Sequence, residues 1–160
     1  MADYYDSTFT FTGTFSPIND IAKALKIDPG CTTCEPLLQT LYPPPDSIVR
    51  LDAVDQLNRP CDRHAYLTDW QMEHWGADRE NHDCLHISTN LFDWPSPLDC
   101  QLSISISTAW STPEEAARGI SKHWPAVTVG YISDTMRDLM MDEISFRAGY
   151  QISGGWMVAA

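Results

Sequence analysis

Twice in this chain an alternating, strand-like run hands over directly to a helix opened by proline, and few folds accommodate that handover twice. "STFTFTGTF", 7–15, alternates Phe9 and Phe11 with threonines, the pattern of a half-buried strand. Ser16 then stands as a cap and Pro17 as the first helical residue, with Ile18, Ile21, Ala22 and Leu25 at helical spacing until "DPG" at 28–30. The second handover is "CQLSISISTAWSTPEE". A strand over 100–110 meets Thr112 as cap, Pro113 as opener and Glu115 three residues after the cap, and the helix runs to about Trp124, before Pro125.

Between the handovers lies a less regular stretch. A Pro-rich insertion spans about 31–64, with a short apolar turn at 37–41 and an extended path through Pro43, Pro44 and Pro45. "LTDWQMEHW", 67–75, predicts one or two helical turns capped by Thr68 and ended by Gly76, followed by a polar loop, "ADRENHD". "CLHISTNLF", 84–92, pairs with the 100–110 run as a hairpin across the turn residues "DWPSPLD". "AVTVGYIS" and "ISFRAGYQIS", 144–153, are the last strands.

The order is therefore β-α-β-β-α-β. It predicts an α+β, ferredoxin-like sandwich in one domain over 1–160, an antiparallel sheet with helices on one face, plus the insertion at about 31–64. The other sheet face is either covered by that insertion or left as a surface for a partner.

Ten Lys and Arg against 22 Asp and Glu leave a net charge of −12, which repels phosphate backbones and argues against direct nucleic-acid binding. The same charge attracts a basic partner. No apolar run approaches the ~18 residues of a membrane span and no signal-peptide pattern opens the chain, so a cytoplasmic, non-membrane protein is expected. An odd count of five cysteines fits reduced thiols or a metal site better than a disulfide framework.

The sharpest chemical constellation is Cys31-x-x-Cys34 with Cys61-x-x-His64. Two chelating pairs could close a structural tetrahedral zinc site on the insertion; otherwise no cofactor is expected. A redox role for Cys31 and Cys34 is disfavoured, because the pair follows "DPG" rather than a strand. His82, Cys84 and His86 share one face if strand-borne, and with nearby carboxylates they offer a metal-dependent or acid-base alternative. No nucleophile elbow, phosphate loop, HExxH pair or dinucleotide fingerprint occurs, so no catalytic residue is assigned.

Asp134, Asp138 and Asp142 recur at i, i+4, i+8 and, with Glu143, predict an acidic stripe on a helix whose Leu139, Met140 and Met141 face the core. A solvated helix face is the simpler account of the same spacing. Asp69, Glu73, Asp78, Glu80 and Asp83 form a second acidic group around the Trp75-Gly76 turn. Trp94, at the hairpin tip, and Trp156 are candidate exposed hot spots.

"HWGADRENHD" at 74–83, "TAWSTPEE" at 108–115 and "KHWPAVTVGY" at 122–131 resemble, in order and spacing, the YubB-type ferredoxin-like domain family of phage and plasmid proteins, over roughly 65–150. Thr108, Ala109, Trp110, Ser111 and Pro113 fall on its Thr-Ala-Trp-Ser-Pro-Pro motif, with Thr112 in place of the first proline; "ADREN" departs from its usual basic and aromatic pair. The resemblance implies a small protein of phages and conjugative plasmids with no established active site. By analogy with such elements, a non-enzymatic inhibitor of a host defence complex, of anti-CRISPR or anti-restriction type, is expected, its acidic surface a candidate mimic of DNA. A structural or assembly protein is the third reading.

Overall fold

The computed structural model describes residues 3–58, 64–80 and 84–155. Its centre is a six-stranded antiparallel sheet in the order β2-β3-β1-β4-β5-β6. The strands are β1 (Tyr4–Gly13), β2 (His86–Thr89), β3 (Cys100–Ala109), β4 (Thr128–Ser133), β5 (Asp142–Arg147) and β6 (Tyr150–Gly155). The helices are α1 (Phe15–Ala24), α2 (Leu37–Leu41), α3 (Asp46–Asn58), α4 (Ala65–His74), α5 (Glu114–His123) and α6 (Asp134–Asp138). The chain is thus α+β, as its alternating runs require, and the 86–109 hairpin pairs antiparallel as expected.

Period two sorts the residues of β1 and β3 cleanly. Phe9 pairs with Ile104 and Phe11 with Leu102, all fully buried, and they meet Ile18 and Ile21 of α1 and Ile120 of α5 in one core. Burying such side chains supplies about 1.5–3 kcal/mol each against the cost of ordering the chain. On the opposite face Thr8 and Thr10 join Ser105 and Ser103 through hydroxyl hydrogen bonds of 2.9 and 3.1 Å.

Several boundaries move for identifiable reasons. Helix α1 continues the chain from Phe15 after Thr14, without a side-chain cap from Ser16, and stops before "DPG". Lys26 takes a left-handed conformation (φ 56°), so its N–H meets the Lys23 carbonyl and that of Ile27 meets Ala22, a Schellman closure. Thr112 does not cap α5. Pro113 is the residue before the helix, and the Thr112 hydroxyl hydrogen-bonds Tyr131 instead.

The insertion is more regular than expected, because α3 follows the three prolines and the Pro45 carbonyl accepts the Ile48 and Val49 N–H groups. Its polarity is inverted. Asp52 is buried, while Val49, Leu51, Val54 and Leu57 are exposed. Helix α2 packs on α1, α4 on α5 and α3 on α4, so the insertion's described residues thicken the helical layer and leave the hydroxyl face of the sheet uncovered.

The expected helix through 134–143 is only five residues long. Ser133 caps α6 through its hydroxyl (3.2 Å from Met136 N), Met140 turns left-handed (φ 57°), and β5 begins at Asp142. Met136, not Leu139 or Met140, enters the core; Met141 is half-buried beside it. The single last strand is instead the hairpin β5–β6, turned at Ala148 and Gly149 with φ of 50° and 87°, the signs a type I′ turn needs.

Gly119 in α5 is where Tyr42 lies against the helix: a Cβ there would stand 2.8 Å from Tyr42 Cζ and 3.0 Å from Cδ1, with Cε1 nearer still. Gly119→Ala is therefore expected to destabilise by about 1–2 kcal/mol, overpacking outweighing the ~1 kcal/mol gain in helix propensity. Urea denaturation checks this, and an unchanged or higher midpoint would mean that Tyr42 yields freely.

Candidate functional site

The acidic residues singled out above take up different places. Asp134, Asp138, Asp142 and Glu143 are all exposed, but the left-handed turn at Met140 distributes them over α6 and the start of β5 rather than along one helix face. The stripe becomes a corner. Arg137 sits within it, bonded to Asp134 at 2.7 Å, and its second nitrogen donates to Thr8 Oγ1 at 3.2 Å, fastening α6 to the open sheet face. Glu143 reaches over Gly130, whose missing side chain leaves room for the carboxylate. Partial burial raises the Glu143 carboxyl, and Arg137 opposes that rise.

The open face continues from this corner. Thr8 and Thr10 on β1, Ser103 and Ser105 on β3 and Ser145 on β5 are half-exposed, and His86 and Ser88 on β2 are exposed. A face of hydroxyls with carboxylates at one corner can donate and accept hydrogen bonds.

The second acidic group divides. Asp69 and Glu73 are exposed on α4, Asp78 accepts a hydrogen bond from Thr68 Oγ1 at 3.1 Å, and Asp83 lies outside the described residues. Glu80 turns inward. Its carboxylate accepts from Leu37, Leu38 and Gln39 N–H at 2.5, 2.8 and 3.4 Å, capping α2 across 43 residues of chain. Burial pushes the Glu80 carboxyl up to about 7 against these three donors.

Trp94 is exposed as expected, at 93 %, as are Leu98 at 93 % and Phe92 at 41 % in the same hairpin connection, and the Trp94–Pro95 bond is cis. Trp156 lies outside the described residues.

Of the zinc set, Cys61 lies outside the described residues and the other three do not gather. Cys31 and Cys34 pack beside the core, where Cys34 hydrogen-bonds Cys84; burial first, then that neighbouring thiol, pushes Cys34 up to about 12. Cys84 Sγ also faces the Thr32 carbonyl at 3.7 Å. His64 is turned elsewhere, its Nδ1 2.6 Å from Asp52 Oδ2. Among the described residues no three His, Cys, Asp or Glu side chains are grouped to hold a metal. The His82, Cys84, His86 row is not a strand face either: β2 begins only at His86, and His82 lies outside the described residues.

The Asp52–His64 pair was not singled out by sequence, because the two residues belong to separate elements. The buried Asp52 fixes the half-exposed imidazole at the rim of a cleft of about 640 Å³ lined also by Thr68, Gln71, Arg79 and Trp110. Trp110 stands there with φ 69°, an uncommon conformation for a bulky residue, held by its N–H to the Asp3 carbonyl at 2.8 Å. "TAWS" is therefore both the end of a strand and one wall of a cleft. A histidine oriented by a buried carboxylate can move a proton.

No family model, no curated protein and no solved structure matches this chain. No helix among the described residues is long and apolar enough to cross a membrane.

Proposed function

We propose that this is a non-enzymatic binding protein of a mobile element, which docks on a basic, nucleic-acid-handling defence complex of a bacterial host, of anti-CRISPR or anti-restriction type, in the host cytoplasm. The observation that carries the reading is the acidic corner, Asp134, Asp138, Asp142 and Glu143, joined to a hydroxyl-lined sheet face that α1 to α5 leave open. Four carboxylates against Arg137 leave that corner negative, so it would be steered to a basic groove and could stand where phosphates otherwise lie. A ferredoxin-like core of YubB type belongs to the same proposal: the neighbour order β2-β3-β1-β4, extended by the β5–β6 hairpin, supports it.

The test is a tagged pull-down from a defence-competent bacterial host at low and moderate salt, with mass spectrometry of what binds. The expected result is a nucleic-acid-handling complex whose recovery falls with salt, with competing DNA and in the triple variant D134K/D138K/D142K. All three positions are exposed, so the variant should stay folded, losing about 1 kcal/mol with the Asp134–Arg137 ion pair. Equal recovery with the folded triple variant would remove the corner from the proposal, and absence of any such complex from the wild-type eluate would remove the function.

A further inference from the structure

Three strings noted for other reasons, "YPPP" at 42–45, "HWG" at 74–76 and "KHWP" at 122–125, meet on the helical side of the molecule, away from the hydroxyl face. They line a groove of about 520 Å³ whose walls are Tyr42, Pro43, Trp70, His74, His123 and Trp124. Its aromatic walls are fixed before anything binds. Trp70 and His74 stack at 4.4 Å with planes 11° apart, and Tyr42 meets Trp70 edge-on at 5.5 Å and His123 at 5.3 Å. Behind them Trp75 Nε1 donates to the Tyr42 carbonyl at 2.8 Å, and Gly119 lets the Tyr42 ring lie on α5.

Among the described residues no Lys or Arg lines the groove, whose ionisable walls are Tyr42, His74 and His123, and the neighbouring Lys122 runs instead along Gly149 at the β5–β6 turn. The Glu115 carboxylate is close enough to raise the Tyr42 hydroxyl, after burial, and Glu73 is exposed on the turn of α4 that carries His74. Aromatic faces present negative potential to a cation, and a carboxylate at the rim adds to it.

From this arrangement we infer that the groove is a receptor for a guanidinium, the side chain of an arginine on a basic protein. A guanidinium is flat, weakly hydrated and stacks on indole and phenol faces, whereas an ammonium keeps its water. The inference rests on the proposed basic partner only for the source of the arginine; the groove's chemistry stands on its own residues. It also gives the molecule a second contact on the face opposite the acidic corner.

The experiment is a ¹H–¹⁵N NMR titration of the full chain with acetyl-Gly-Arg-Gly-amide, and with the same peptide carrying citrulline, which keeps the shape and lacks the charge. The arginine peptide is expected to shift the Trp70 and Trp124 indole N–H signals and the backbone of 42, 74 and 123. Citrulline, and Trp124→Leu against the arginine peptide, should each weaken binding roughly two- to fivefold. Far-ultraviolet circular dichroism confirms that Trp124→Leu is folded, and Glu73→Gln gives a second, exposed variant in the same direction. Shifts confined to the Asp134–Glu143 corner, equal binding of citrulline, or no shifts would each overturn the groove while leaving the proposed function to its own test.

Discussion

Glu80→Ala is expected to destabilise the protein by about 2–4 kcal/mol, because three N–H groups at the start of α2 lose their carboxyl acceptor. The loss would spread, since Leu37, Leu38 and Leu41 are core residues that α2 delivers only while it stays helical. Glu80 also carries a pH signature. Its folded value of about 7 stands above the ordinary 4.5, so its contribution is fully present below about 4.5 and is lost as pH rises through 7. Urea denaturation of wild type and Glu80→Gln between pH 4.5 and 8 checks both statements: the wild type should lose stability across that window relative to the variant. Parallel curves would mean that the three N–H donors outweigh burial and hold the carboxyl ionised throughout.

Trp75→Ala is expected to cost more, about 3–5 kcal/mol, or a thermal midpoint lower by roughly 6–20 °C for a chain of this size. The indole is 1 % exposed, meets Trp70 edge-on at 5.9 Å and donates to the Tyr42 carbonyl at 2.8 Å. Removing it opens a cavity and leaves the carbonyl unsatisfied. Trp75→Phe keeps the ring and loses the donor, so it should fall between the two, near 1–3 kcal/mol. Differential scanning calorimetry distinguishes these cases, and a Phe variant as damaged as Ala would assign the whole effect to the hydrogen bond and the indole's second ring.

The elements visible in the sequence are those whose pattern and burial agree. Phe9, Phe11, Leu102 and Ile104 alternate in the chain and are buried in the fold, so β1 and β3 were legible as strands. Helix α3 was not, because it turns Asp52 inward and Leu57 outward, the reverse of what periodicity assumes. The 134–143 stretch misled for a different reason: Met140 adopts a left-handed turn that methionine rarely signals, and the aspartate spacing of a helix was broken there. Exposure of Trp94 was read correctly from its place between Asp93 and Pro95 in a turn. The inward role of Glu80, the Asp52–His64 pair and the aromatic groove could not be read, since each depends on residues that only tertiary packing brings together.

The place of β1 has a consequence for how the chain is made. It leaves the ribosome before β2 to β6, yet it lies in the interior of the sheet, flanked by β3 and β4, so Phe9 must wait for both Ile104 and Tyr131. Until β4 has been synthesised, β1 has at least one ladder edge unpaired and its phenylalanines lack part of their cover. Such long-range pairing slows folding and exposes nascent chains to aggregation. Yield should therefore respond to translation speed and chaperone supply more than to changes in the α5 handover, where strand and helix adjoin in sequence.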